Sequence, residues 1–337
     1  MKKYAYYIGA DVSKKTIDIS VLKGKEKLFH LRINNDEKGF KALKKELQKH
    51  GILAKKSILC LENTGFYGYS FSCWAVENAY PVWIENAIAI KRSLGLVRGK
   101  NDQVDSYRIA LYAARFEDKC KLWQPPRKAV QRLQQLIATR TRLIESRNRL
   151  KTPLKELSFA FSKNQNKEVE TCCKAAIKGI EKSIDKVEEK IDQLIKSDTG
   201  LSHMKKIITS VDGIGLQIAT ALIVATNEFK ELKSQRKMAC YAGIAPFEHT
   251  SGTSIKDRTR VSHLANKSLK TLLHMGAISA IKNSEEIGAY YRRKVEEGKP
   301  KMVVINAVRN KLVLRMWACI REDRMYEKTY TKNLAES

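Results

Sequence analysis

No apolar run in this chain reaches the roughly 20 residues needed to cross a bilayer, and the opening MKKYAYYIGADVS lacks the apolar centre of a secretion signal. A membrane protein is therefore not expected, and a cytoplasmic location is. The seven cysteines contain no C-x-x-C pair and no histidine partners at zinc-like spacing, so no structural zinc is expected. Adjacent Cys172 and Cys173 read as ordinary reduced thiols. A nucleotide-binding loop is missing too: Gly95 to Lys100 (GLVRGK) falls one residue short of the P-loop spacing. Acidic residues are scarce, 36 against 64 Lys and Arg, for a formal charge of +28. So much like charge repels itself, and a polyanion relieves that repulsion while releasing counterions. Nucleic acid is the leading partner class, ahead of an anionic membrane surface.

What is present suits a folded protein of more than one domain: 337 residues, 43% of them hydrophobic. Ala5 to Leu22 is strand-like, Lys23-Gly24-Lys25 makes a turn, and Lys27 to Asn34 alternates as a further strand. Phe40, Leu43 and Leu47 recur at helical spacing up to Gly51. A short apolar strand, Ser57 to Leu61, precedes a helix around Tyr69 to Asn78; Pro81 opens the strand PVWIENAIAI, and Asp102 to Arg115 reads as a helix. Three strands, helix, strand, helix, strand, helix is the order of the α/β ribonuclease H fold. Residues 127–157 read as a basic helix, 158–170 as an interruption, and Ile177, Ile180, Ile184, Val187, Ile191 and Leu194 as heptad a and d positions ending at Gly200. That heptad predicts either a helical hairpin within the chain or a coiled coil between subunits. The expected domains are residues 1–125, a helical coiled-coil connector at 126–200, a mostly α domain at 201–325 and a frayed polar tail at 326–337.

Four acids carry the sharpest chemistry. Asp11 lies in the strand Ile8-Gly9-Ala10-Asp11-Val12-Ser13, and Glu62 ends the apolar strand just before Asn63-Thr64-Gly65. Asp102 and Asp105 share one face at the start of a helix. Packed beside the first strand, that helix would bring all four together, and hard oxygen donors of this kind select Mg²⁺ or Mn²⁺. On a blander reading Asp102 and Asp105 are first-turn acids favoured by the helix dipole and Glu62 is a solvated loop residue. Asp11 in an apolar strand fits that reading poorly.

With Gly9-Ala10-Asp11-Val12-Ser13-Lys14, Glu62-Asn63-Thr64-Gly65 and Gly99-Lys100-Asn101-Asp102-Gln103-Val104-Asp105, the chain resembles the DEDD transposases of insertion sequences, a family that includes pilin-gene DNA invertases. The resemblance covers nearly the whole chain. Asn101 is a minor departure, since family members more often carry Thr there. The resemblance implies a RuvC-like N-terminal domain whose acids bind the metal ions. It also implies a recombinase of bacterial, nucleoid-associated habit acting on donor and target DNA, guided by a structured bridge RNA, and assembling as a dimer and as a tetramer in synapsis.

Farther on, Val211-Asp212-Gly213-Ile214-Gly215 before the apolar helix from Leu216 to Ala225 reads as a helix-hairpin-helix. Gly213 and Gly215 would let backbone N–H groups approach a phosphate; a plain tight turn is the alternative. Phe247-Glu248-His249-Thr250-Ser251-Gly252 resembles the family's C-terminal motif, in which the serine before glycine is the nucleophile, here Ser251. By chemistry alone Ser251 is one serine among several, beside Thr250 and Ser254. A phosphoserine would store the energy of the broken phosphodiester until a 3′-hydroxyl attacks. His249 is not read as its base, on the expectation that the two side chains diverge in an extended loop. Tyr241, a rival nucleophile, reads rather as an apolar helix residue. Lys256, Arg258, Arg260, Lys267, Arg292 and Arg293 are the candidate phosphate contacts. A metal-dependent nuclease or junction resolvase using water is the competing enzyme; a nucleic-acid-binding protein without catalysis is the competing non-enzyme.

Overall fold

The computed structural model describes residues 3–63, 65–93, 101–232, 234–251, 255–261 and 265–328, with backbone alone for residues 158, 163–166, 247–251 and 255–260. Thr64 and the segment Gly95 to Lys100 lie outside the described residues. The chain forms two compact units, residues 1–125 and 126–337. No helix among the described residues is long and apolar enough to cross a membrane.

The first unit runs β1 (Tyr6–Val12), β2 (Thr16–Lys23), β3 (Glu26–Asn34), α1 (Glu37–Lys49), β4 (Ser57–Glu62), α2 (Tyr69–Glu77), β5 (Val82–Glu85), α3 (Ala87–Ser93) and α4 (Asp102–Arg115). The sheet order is β3-β2-β1-β4-β5. β1 is antiparallel to β2 and β2 to β3, whereas β1–β4 and β4–β5 are parallel. That mixed five-stranded order, with helical crossovers between the parallel strands, is ribonuclease H-like. Strand alternation sorts the core into two layers. Ile8, Ala10, Ile19, Leu59 and Leu61 join Phe40, Leu43 and Phe71 of α1 and α2 on one face. Tyr7, Leu22, Ile58, Cys60 and Trp83 join Ile109, Ala110 and Ala113 of α4 on the other.

The strand-like stretch Ala5 to Leu22 divides into β1 and β2, because the Ser13 hydroxyl takes the Thr16 N–H at 3.1 Å and turns the chain between them. The run read as the strand PVWIENAIAI ends at Glu85: the Asn86 side chain accepts from the Ile88 N–H at 2.9 Å and starts α3.

The second unit opens with two long helices, α5 (Lys128–Ala160) and α6 (Lys163–Ser197). They fold back on one another as a hairpin, tied by Arg140–Glu188 at 2.6 Å and Lys151–Glu181 at 2.5 Å. The heptad residues Ile184 and Ile191 are buried in it. The interruption read at 158–170 shrinks to Phe161 and Ser162, between the two helices. Gly200 does not end this stretch; it lies in the first turn of α7 (Thr199–Thr209), which Asp198 caps by accepting from the Leu201 N–H at 2.9 Å. There follow α8 (Leu216–Ala225), α9 (Gln235–Tyr241), the hairpin β6 (Phe247–Ser251) and β7 (Ile255–Arg260), then α10 (Lys267–Asn283), α11 (Glu285–Glu296) and α12 (Lys301–Arg321). Leu222, Leu273, Val308 and Met316 lie at the centre of their shared core. The tail is ordered farther than its composition predicts: the Tyr326 N–H donates to Ser210 Oγ at 2.8 Å, and Arg315 lies over the Tyr326 ring.

Candidate active site

The carboxylates collect on the α4 side of the sheet. β1 and β4 are parallel, with Ala10 paired to Leu61, so Asp11 and Glu62 follow at the same level on adjacent strands. By alternation both project from the face that carries Tyr7, Ile58 and Cys60 and packs on α4. Gly9 is what lets α4 lie so close: a Cβ there would fall 2.2 Å from the Ser106 carbonyl oxygen and 2.3 Å from the Ala110 nitrogen. Ser20 and Ser106 fasten the crossing with a buried hydroxyl pair at 2.8 Å. α4 begins at Asp102 because Asn101 caps it, its side chain accepting from the Gln103 N–H at 2.7 Å. Asn does the capping work that Thr would do, so the departure at residue 101 costs the helix start nothing. Asp102 and Asp105 occupy its first turn.

The electrostatics register the convergence. Burial, then the charges of Asp105, Asp102, Glu62 and Asp18 in that order, raise the Asp11 carboxyl from 3.8 to about 6. Among the described residues no three His, Cys, Asp or Glu side chains are drawn together as an ion would hold them. Guanidinium groups attend two of the acids instead: Arg108 bonds Asp105 at 2.8 Å, and Arg32 lies 3.9 Å from Asp102. As a donor set, four carboxylates offering hard oxygens at the ends of two inner strands and the start of α4 fit a divalent cation of the Mg²⁺ type.

Asp18 is a fifth acid that the sequence reading missed. It is the antiparallel partner of Asp11 across β1 and β2 and is 5% exposed. His30 Nε2 lies 3.0 Å from it and Arg32 Nε 3.6 Å, so its charge is answered locally. Its only sequence signal is the pairing register of the β1–β2 hairpin. Phe66 and Tyr67 were missed as well. They follow Glu62 in a short 3₁₀ turn and stand 77% and 50% exposed. The Asn35 amide ties that turn to the loop after Asp11, donating to the Tyr67 carbonyl at 3.0 Å and the Ser13 carbonyl at 2.9 Å.

The other candidates lie in the second unit. Ser251 is the last residue of β6, paired with Ile255 of β7, and Lys256, Arg258 and Arg260 follow on β7; the side chains of all four lie outside the described residues, as does Gly252. Phe247–Ser251 is a strand and not a loop, so the ground for setting His249 aside does not hold. Lys267 opens α10, and Arg292 and Arg293 lie on α11; all three are exposed. Gly213 has φ +84°, and a Cβ there would fall 2.5 Å from the Gly276 carbonyl oxygen, so packing against α10 demands it. Gly215 precedes α8, with open space where a side chain would stand. The Tyr241 hydroxyl is occupied, accepting from the Asn266 amide at 3.1 Å.

Comparison with known proteins gives a consistent picture. A DEDD transposase model of the IS110 type matches residues 8–157, and the model of the transposase IS116/IS110/IS902 family matches residues 205–292. The pilin gene-inverting proteins of Moraxella bovis and Moraxella lacunata are each 28% identical to this chain, over 96% of its length and 98% of theirs. The IS110 insertion-element 43.6 kDa protein of Streptomyces coelicolor is 25% identical over 37% of this chain and 30% of its own. Among solved structures, T. thermophilus RuvC in complex with a Holliday junction substrate aligns over 36% of this chain and 100% of its own, with 12% identity and a TM-score of 0.27.

Proposed function

Because the chain belongs to the IS116/IS110/IS902 transposases, we propose that it cuts and rejoins DNA at Ser251 with the help of Asp11, Glu62, Asp102 and Asp105. The observation that carries this reading is the gathering of Asp105, Asp102 and Glu62 around Asp11, whose carboxyl is raised to about 6 by burial first and then by these charges. Like charges placed together are repulsive unless a positive ion or a phosphate-bound cation joins them. The four acids would hold Mg²⁺ or Mn²⁺, and such ions when bound polarise phosphoryl oxygens and stabilise charge on the attacking and departing oxygens.

The Ser251 hydroxyl is the nucleophile in this scheme. Its Oγ forms a bond to phosphorus as the bond from phosphorus to O3′ breaks, and the serine proton ends on the departing 3′-oxygen. In the second half a new 3′-hydroxyl attacks the phosphoserine and Oγ leaves, so one phosphodiester is broken and one made without ATP. Lys256, Arg258, Arg260, Lys267, Arg292 and Arg293 supply backbone phosphate contacts, and Gly215 with Gly213 opens α8 as a helix-hairpin-helix anion contact. The charge of +28 supports a polyanion as partner, and the family resemblance is the ground for two DNA duplexes and a structured bridge RNA, held by a dimer that becomes a tetramer in synapsis.

Recombination between donor and target plasmids, with Mg²⁺ and candidate bridge RNA, tests the acids. Asp11→Asn, Glu62→Gln, Asp102→Asn and Asp105→Asn should each lose at least about a hundredfold in rate while binding DNA as well as the parent. Full recombination by any one variant would remove that residue from the site. Full recombination by all four would mean that the chemistry does not use these acids.

A further inference from the structure

Of the described residues, two charged ones are buried almost completely as whole residues, Asp18 and Arg309. Asp18 has His30 at hydrogen-bond distance and the Arg32 guanidinium beside it. Arg309, on α12 and 5% exposed, has no carboxylate within ion-pair distance among the described residues. Other arginines of this unit find acids even in a chain short of them: Arg127 bonds Asp198 and Glu228, and Arg140 bonds Glu188. A buried guanidinium met only by neutral groups is costly to the fold, which makes it a sign of a missing anion.

Its neighbours are arranged to present that charge. Arg309 donates through one terminal nitrogen to the Asn306 side-chain oxygen at 3.3 Å and through the other to His274 Nδ1 at 2.6 Å, while its Nε finds no acceptor. An imidazole that accepts at Nδ1 carries its proton on Nε2. Burial and then the Arg309 charge hold His274 below the usual histidine range, so the ring stays neutral. Its Nε2–H has no acceptor among the described residues, and the residue is half-buried on α10. Lys270 lies one turn earlier on the same helix, its Cδ beside Gly243. Asn306 also donates to the Ile244 carbonyl at 2.8 Å, which fixes this cluster to the segment leading into β6.

We propose that His274, Lys270 and Arg309 form a phosphate site at the root of the β6–β7 hairpin. The His274 Nε2–H and the Lys270 ammonium touch the phosphate oxygens, and Arg309 is a positioning residue that fixes the imidazole tautomer and supplies permanent positive charge from behind. A guanidinium and a neutral imidazole donor suit a phosphodiester better than a point cation alone would. The source of that phosphate, a DNA or an RNA backbone, rests on the nucleic-acid reading above; the site itself does not.

The test uses the full chain labelled with ¹⁵N-histidine, titrated with inorganic phosphate against chloride at constant ionic strength. The expected result is a neutral Nε2–H signal for His274, identified by its absence in His274→Gln, that shifts on adding phosphate. Arg309→Met should weaken phosphate binding at least tenfold and move His274 toward the other tautomer, without lowering the melting temperature of the free protein. His274→Gln, at a half-buried position, shows the same loss of phosphate binding by isothermal titration calorimetry if Arg309→Met fails to fold. No shift in the wild type, or an unchanged phosphate response in both variants, would overturn the site. Short DNA and RNA duplexes of one sequence then separate the sources: His274→Gln loses affinity for one of them, and equal retention of both would contradict the assignment to a nucleic-acid backbone.

Discussion

At the scale of single residues, the four acids were legible because each sits in a short motif whose residue types announce it. Asp18 was not, because nothing about an Asp in a strand-like run says which residue it will face. Only the register of the β1–β2 hairpin places it opposite Asp11. The raised Asp11 carboxyl has a consequence for stability. Unfolded, it titrates near 4; folded, at about 6. Between those values the native state binds more protons than the unfolded chain, so this group's contribution falls as pH rises from about 4 to 6 and stays lost above. Asp11→Asn in EDTA should therefore match the parent near pH 4 and exceed it by about 1–2 kcal/mol at pH 7.5, once solvent screening is allowed for. Urea melts at the two pH values check this. An equal difference at both would mean that neither burial nor neighbouring charge raises the Asp11 carboxyl.

At the scale of elements, periodicity placed α4 at its true bounds, since its first-turn acids and its cap are all local signals. It mistook Ala87 to Ile90 for strand, because a four-residue apolar run looks alike in a buried strand and a short helix, and the cap on Asn86 decides between them. Heptad spacing left a hairpin and an intersubunit coiled coil open, and within this chain α6 packs on α5. The closeness of β1 and α4 was invisible, since it depends on which helix crosses Gly9. Gly9→Ala puts a methyl 2.2 Å from the Ser106 carbonyl oxygen. Backbone must then move, at a cost of about 2–3 kcal/mol or more, and the helix that carries Asp102 and Asp105 moves with it. Denaturant melts should show the loss, together with recombination reduced beyond what the fraction folded explains. Gly179→Ala is the control for adding a methyl at a glycine, because open space surrounds that position on α6. Parent-like stability in Gly9→Ala would contradict the packing.

At the scale of the whole molecule, a charge of +28 makes affinity for nucleic acid depend steeply on salt. Duplex binding should weaken by at least about a thousandfold between 50 and 200 mM salt, and the double change Arg292→Ala with Arg293→Ala should flatten the logarithmic slope by about two. Fluorescence anisotropy across a salt series measures both, and an unchanged slope would remove α11 from the interface. Composition revealed this partner class; it could not reveal the chemistry proposed here for the four acids and Ser251. The most direct test of that chemistry is a denaturing gel of the parent and Ser251→Ala, each incubated with Mg²⁺, candidate bridge RNA and labelled donor and target DNA. A DNA adduct that survives denaturation in the parent and vanishes in Ser251→Ala is the predicted result. Cleavage without an adduct, equal in both proteins, would contradict it and leave a metal-dependent nuclease that uses water.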